Sequence, residues 1–113
     1  TFNPMDEALL KRAMAIVEKN MDNIEFSTDE FAREMNMSRS NLHLKLKAIT
    51  GESTIDFIRK IRFNEAAKLL KDGRYTVAEV STMVGFNTPS YFATSFKKYF
   101  GCLPTEYIKK SKG

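Results

Sequence analysis

The 113-residue chain has the size of one domain, and its 42% hydrophobic content can build a modest core and argues against disorder. Its single cysteine cannot form an intramolecular disulfide, and no apolar run approaches the roughly 18 residues that a membrane span needs. These features exclude a disulfide-stabilised secreted domain and a membrane span, and they favour a soluble cytoplasmic protein. Because the chain starts without a methionine, we also expect it to belong to a longer protein with further domains.

The net charge of +4 is distributed unevenly along the chain. Residues 1–36 hold four Lys and Arg against eight Asp and Glu, residues 37–63 hold six against two, and residues 97–113 hold five against one. Basic segments of this kind suit a polyanion such as nucleic acid or an anionic membrane surface. An ordinary solvated face is the alternative.

Every strong periodicity in the sequence is helical, which predicts an all-α fold of seven helices. The first helix covers residues 4–20 and is capped by Asn3. The second begins in the sequence STDE, where Ser27 and Glu30 are expected to form a reciprocal capping box, and it ends near residue 35. The third and fourth helices are predicted at residues 38–50 and 54–72.

The second half of the chain repeats these start and stop signals. The sequence TVAE places a further capping box at Thr76 and Glu79, and the fifth helix that follows it is expected to end at Gly85. The sixth helix starts at residue 88, with a proline in its first turn, and the seventh covers residues 104–110.

Two segments align as copies of one pattern, which is helix, tight turn, helix. Phe31 pairs with Val80 at an offset of 49, and the later core positions pair at an offset of 50. In the turn, Asn36 matches Gly85, and these are the two residue types that most readily adopt the left-handed conformation. The sequence therefore predicts one domain over residues 1–113 that contains two helix-turn-helix units and a linker helix, at residues 27–51, 76–101 and 54–72 respectively.

The third and sixth helices each have a core-facing stripe and an outward face. At about 100° per residue, the stripes consist of Leu42, Leu46 and Ile49 in the third helix and Phe92, Phe96 and Tyr99 in the sixth. The aromatic residues of the second unit are therefore expected to be mostly core, and Tyr91 is the exception. The outward faces carry Ser40, His43, Leu44 and Lys47 in the third helix and Ser90, Ala93, Thr94 and Lys97 in the sixth.

An outward helix face flanked by lysines is suited to the major groove of duplex DNA. We predict that bases are read by Ser40, His43, Leu44, Ser90, Tyr91 and Thr94. We predict phosphate contacts from Arg39, Lys45, Lys47, Thr88, Lys97 and Lys98. The linker helix, at roughly 28 Å for 19 residues, is long enough for the two helices to enter successive major-groove segments. The first unit, with a ring and an apolar tip, is expected to carry more of the base selectivity than the short side chains of the second.

Other interpretations of individual residues remain open. Leu44 is either an exposed surface leucine or an apolar contact for a thymine methyl group. His43 either faces the groove or is simply exposed. Arg59, Lys60 and Arg62 on the linker helix are most simply solvent-facing charges, and phosphate contact is their second interpretation.

No catalytic, metal or cofactor site is predicted. His43 is the only histidine, so neither a histidine metal cluster nor a histidine-centred triad can form, and the chain lacks the glycine motifs of nucleotide-binding loops. Two further binding functions remain besides duplex DNA: a helical protein-interaction module and an RNA binder. Steep salt dependence would separate DNA binding from the first, and duplex competition would separate it from the second.

Three segments carry a resemblance to a known family: MSRSNLHLKLKAITG, FIRKIRFNEAAKLL and YTVAEVSTMVGFNTPSYFATSFKKYFGCLPTEY. With VGF, YF, FKKYFG and P-x-x-Y in order, roughly residues 8–108 resemble the DNA-binding domain of the AraC/XylS family of bacterial transcription regulators. The resemblance implies two helix-turn-helix units on a long helix, duplex DNA as partner, RNA polymerase as a further partner, and no membrane contact. The sequences of these segments look most like those of output domains of hybrid two-component proteins. Many relatives carry DNA-contacting arginines where this chain has Leu44 and Thr94.

Overall fold

The computed structural model describes residues 3–112, so residues 1, 2 and 113 of the predicted domain lie outside the described residues. The described part of the chain contains seven α-helices and no strand, which confirms the predicted all-α fold. The helices are α1 (Pro4–Lys19), α2 (Thr28–Glu34), α3 (Arg39–Thr50), α4 (Thr54–Asp72), α5 (Val77–Met83), α6 (Pro89–Phe100) and α7 (Pro104–Lys112). Within the described range, no helix combines the length and apolar composition that crossing a bilayer requires.

Side-chain caps determine where the helices begin. The Asn3 side chain accepts a hydrogen bond of 2.8 Å from the Asp6 amide, as predicted. At α5 the capping box is complete, because the Thr76 hydroxyl accepts from the Glu79 amide at 3.0 Å and the Glu79 carboxylate accepts from the Thr76 amide at 2.8 Å.

The capping box predicted for α2 forms only in part. The Ser27 hydroxyl accepts from the Glu30 amide at 3.2 Å, but the Glu30 carboxylate pairs with the guanidinium of Arg33, one turn further along the helix. An arginine three residues away offers charge attraction in addition to a hydrogen bond, and it competes with the backbone amide for the carboxylate.

The tight turns of both units contain a left-handed residue, as the sequence predicts. Asn36 has φ of 58°, and it is the only non-glycine residue with positive φ among residues 3–112. Gly85 has φ of 82°. Each turn is closed by an amide that reaches back to the preceding helix: Met37 donates to the Ala32 carbonyl at 3.0 Å, and Phe86 donates to the Ser81 carbonyl at 2.9 Å.

The described residues pack into two compact units, each of which includes one of the predicted helix-turn-helix units. The first compact unit consists of residues 3–20 and 25–61, and the second consists of residues 21–24 and 62–112. The core of the first unit is built from apolar faces of α1, α2, α3 and the first half of α4, with Phe31, Leu42 and Leu46 fully buried. The Phe31 ring stacks on Phe57 with centroids 6.0 Å apart. Such burial contributes roughly 1.5–3 kcal/mol per large side chain.

The second unit has an aromatic core. Phe63, Phe92 and Phe96 are almost completely buried, together with aliphatic residues of α4 and α5. The Phe63 centroid lies 6.4 Å from Phe92 and 6.2 Å from Phe96. The aromatic cluster of the sequence is thus mostly core, as predicted, since Phe92 and Phe96 take the places in α6 that Leu42 and Leu46 take in α3.

The structure corrects the predicted stripe of α6 at its last turn. Tyr99, expected in the core, is 44% exposed, although its ring stacks against Phe63 at 5.0 Å. Phe100 is more buried, because α7 covers that side of α6 and Tyr107 packs on Phe100 with centroids 5.4 Å apart. The matching residue of α3, Ile49, is half-buried.

The structure also corrects the prediction for Arg62, which is buried and not solvent-facing, whereas Arg59 and Lys60 are exposed as expected. Its guanidinium donates to the Gly85 carbonyl at 3.2 Å and to the Asn23 carbonyl at 2.9 Å. Because arginine carries five N–H donors, one buried guanidinium can bond to both backbone carbonyls.

Candidate nucleic-acid interface

The outward face of α3 is anchored from behind by two buried leucines, Leu42 and Leu46. The Ser38 side chain caps the helix by accepting from the Asn41 amide at 3.1 Å, which fixes the position of its first turn. The predicted residues of this face are exposed, as the 3.6-residue period requires, and the apolar Leu44 among them is 64% exposed. The exposed face consists of Ser40, His43, Leu44, Lys45 and Lys47.

Arg39, the first residue of α3, carries an ion pair. Its Nη1 lies 3.1 Å from Oδ1 of Asp29 on α2, and both side chains are mostly exposed. Exposed pairs of this kind contribute about 0–1 kcal/mol. The guanidinium predicted to contact phosphate is therefore partly neutralised in the free protein, which the sequence did not indicate.

A groove beside α3 brings further residues to this face. One wall is formed by Arg39, Ser40, His43 and Leu44, and the other includes Ser53 and Ile55 from the start of α4. The Ser53 hydroxyl caps α4 by accepting from the Asp56 amide at 3.1 Å. Ile55 is 54% exposed and was not among the residues predicted for this face. The sequence signal for this exposure is the position of Ile55 about 200° around the helix from the buried Phe57.

The outward face of α6 is built in the same way. Phe92 and Phe96 are buried behind it, and the Thr88 side chain caps the helix by accepting from the Tyr91 amide at 3.1 Å. Thr88 keeps its hydroxyl proton, so it can still donate to a phosphate. Ala93 is half-buried. The exposed residues of this face are Ser90, Tyr91, Thr94, Lys97 and Lys98.

Two of the α6 residues have contacts that limit how they can reach a base. The Thr94 hydroxyl donates to the Ser90 carbonyl at 3.0 Å, so its oxygen can only accept a further hydrogen bond. The Tyr91 ring is 55% exposed but rests against Phe86, with centroids 5.5 Å apart. Tyr91 therefore offers one held ring and a free hydroxyl to a ligand.

Arg62 supports the turn that leads into α6. Its hydrogen bond to the Gly85 carbonyl ties the left-handed turn to α4, and its bond to Asn23 ties down the segment of residues 21–24. Burial lowers the pKa of the guanidinium, but arginine in proteins stays protonated and its charge strengthens both hydrogen bonds. Its acceptors lie far away in the sequence, so no local pattern indicated this role.

The described residues contain no group of three or more His, Cys, Asp or Glu side chains that could hold a metal ion. Taken together, the two candidate faces carry hydroxyls, one imidazole, one apolar tip and several cations. Each face lies on a helix whose opposite side is buried in the core. This composition suits hydrogen bonding to base edges and attraction to phosphates.

Comparison with known proteins gives the family. Residues 31–110 match the family described as a helix-turn-helix domain, which covers α3 to α6 completely. The chain belongs to the AraC-type family of helix-turn-helix domains. This AraC-type family consists of DNA-binding domains of transcription regulators and is not enzymatic.

Relatives of this AraC-type domain include a much longer protein, the histidine kinase P4 of Formosa agariphila. It is 40% identical over 107 residues, which cover 95% of this chain and 8% of the kinase. The chain spans about a third or less of the length of the curated relatives it matches.

Solved structures share the fold. The C-terminal domain of AraT, a response regulator from Geobacillus stearothermophilus, is 30% identical with a TM-score of 0.83, covering 90% of this chain and 84% of that chain. An AraC-type regulator from Chromobacterium violaceum, 23% identical, has a TM-score of 0.84 and covers 96% of both chains. The DNA-binding domain of AdpA in complex with a target DNA, 24% identical, has a TM-score of 0.80 and covers 90% of both. The last two likenesses concern the fold alone.

Proposed function

We propose that the chain reads duplex DNA sequence-specifically through the outward faces of α3 and α6, as the output domain of a bacterial transcription regulator. The observation that carries the proposal is the shared construction of both faces. Each helix follows a left-handed turn, is capped by a hydroxyl and is fixed by two fully buried side chains, while polar and cationic side chains point outward. A rigid helix of this kind fits the major groove.

The helix-turn-helix units are residues 27–51 and 76–101, and residues 54–72 join them. In each unit the second helix enters one of two successive major-groove segments. The AdpA structure, which contains a target DNA, supports the use of this fold on DNA. Base contacts come from Ser40, His43, Leu44, Ser90, Tyr91 and Thr94.

Phosphate contacts position the domain and supply most of the affinity that does not depend on sequence. They come from Arg39, Lys45, Lys47, Thr88, Lys97 and Lys98. The first unit provides more of the selectivity, because an imidazole and an apolar tip distinguish bases better than short hydroxyls do. In the second unit, Thr94 already uses its proton within the helix, and this further reduces its discrimination.

The parent protein is a two-component regulator, in which the domain follows signalling domains. This assignment rests on the likeness to the histidine kinase P4 and to the AraT response regulator. RNA polymerase and the other domains of the parent chain are the partners besides DNA. Since such a regulator acts on bacterial chromosomal DNA, the domain works in the cytoplasm without contacting the membrane.

A selection of binding sites from random DNA duplexes tests the function. We expect one enriched sequence, and an affinity for it that falls steeply with salt because several phosphates are neutralised. Duplex RNA should compete poorly, since its major groove is too deep and narrow for a helix. A weak salt dependence without enrichment would favour a protein-interaction module, and effective competition by RNA would favour an RNA binder.

A further inference from the structure

The groove beside α3 contains two exposed apolar side chains from different helices. Leu44 is 64% exposed and Ile55 is 54% exposed, and both line this groove. A single exposed leucine or isoleucine needs no explanation on a protein surface. Two that line one groove, with His43 and Arg39 on the same wall, form a small apolar site inside a polar and basic face.

The chemistry of the major groove narrows what this site can bind. Base edges there present hydrogen-bond donors, acceptors and one apolar group, which is the C5-methyl of thymine. An apolar site that is continuous with the base-reading face therefore matches a thymine. Cytosine and uracil lack the methyl group and would leave the two side chains facing water.

We propose that Leu44 and Ile55 together enclose the methyl group of one thymine, and that Ile55 is a specificity-determining residue supplied by α4. The proposal rests on the proposed function, because it requires the α3 face to lie in the major groove. It adds a residue from outside the helix-turn-helix motif to the reading surface. The Ser53 cap holds the first turn of α4, and thereby the position of Ile55, in the free protein.

The test uses the duplex obtained from the random selection and replaces each thymine by uracil, one at a time. Uracil differs only by the missing methyl group. One replacement should weaken binding by about fourfold, which corresponds to the ~0.8 kcal/mol of one buried methyl group. In Ile55→Ala and Leu44→Ala, the loss of affinity that uracil causes at that position should shrink toward onefold. The unsubstituted domain should bind a duplex with 5-methylcytosine at that position better than one with cytosine, and the two variants should bind both duplexes equally.

Ile24→Ala is the matched control, because Ile24 is 50% exposed and does not line the groove. It should keep the full uracil penalty. Sequence-specific binding that is indifferent to every uracil, or a penalty unchanged in Ile55→Ala, would overturn the thymine site and leave the proposed function intact. Absence of any specific duplex binding would overturn both.

Discussion

Gly85 is the residue at which a single added methyl group most directly tests the turn before α6. Its φ is +82°, and a Cβ placed there would lie 2.6 Å from the Met21 carbonyl oxygen and 2.8 Å from Nη1 of Arg62. A backbone carbonyl cannot swing aside as a flexible side chain can. The guanidinium is also held by Asn23, so moving it breaks hydrogen bonds. We therefore expect Gly85→Ala to distort the second unit.

The magnitude follows from two contributions. The left-handed conformation costs an alanine about 1–2 kcal/mol. Loss of the charged hydrogen bond between Arg62 and Gly85 adds about 1.5–3 kcal/mol. Gly85→Ala should thus lower the free energy of unfolding by about 2.5–5 kcal/mol. Gly101 is the matched control, because its φ is +84° but no atom lies within 4 Å of its added Cβ. Gly101→Ala should lose only about 1–2 kcal/mol.

Urea unfolding followed by far-ultraviolet circular dichroism measures both variants. Amide hydrogen exchange should in addition show protection lost first in residues 62–112 of Gly85→Ala, with residues 25–61 affected later. Equal free energies of unfolding for the Gly85 and Gly101 variants would refute the close approach at Gly85. Parental stability in both would refute the left-handed turns as well.

Four further substitutions test other parts of the domain. Asp29→Asn should raise the affinity for every duplex by about two- to fivefold, because it releases Arg39 from a surface ion pair worth up to ~1 kcal/mol. Weaker binding of the variant in a fluorescence anisotropy titration would contradict this. His43→Ala should change the preferred base at a cost of about 1–3 kcal/mol, whereas Lys97→Ala should weaken all sequences alike and reduce the salt slope by about one; the opposite pattern in specificity profiles would reverse the assigned roles. Arg62→Met should lower the free energy of unfolding by about 3 kcal/mol, since two carbonyls lose a charged donor. An unchanged midpoint of urea unfolding would contradict the role of Arg62 in supporting the turn.

The helices could be predicted from the sequence because their boundaries are set by local chemistry. Asn3, Ser27 and Thr76 each cap through an amide only three residues away, so a short window of sequence contains both partners. The left-handed residues Asn36 and Gly85 are equally local, since the backbone conformation of a single residue decides them.

What could not be predicted depends on contacts between distant residues. Arg62 is buried because carbonyls 39 residues before it and 23 residues after it accept its hydrogen bonds, whereas its charge alone assigns it to the surface. Tyr99 is more exposed than Phe100 because α7 packs on the side of Phe100. Ile55 joins the α3 face through a groove that only the packed unit creates.

The central claim is that both outward helix faces read DNA, and protection of guanine N7 from methylation reports the major groove directly. On the selected duplex, we predict two separate protected segments. His43→Ala should lose protection in one of them, and Ser90→Ala should lose it in the other. A single protected segment, weakened alike by both substitutions, would contradict the claim.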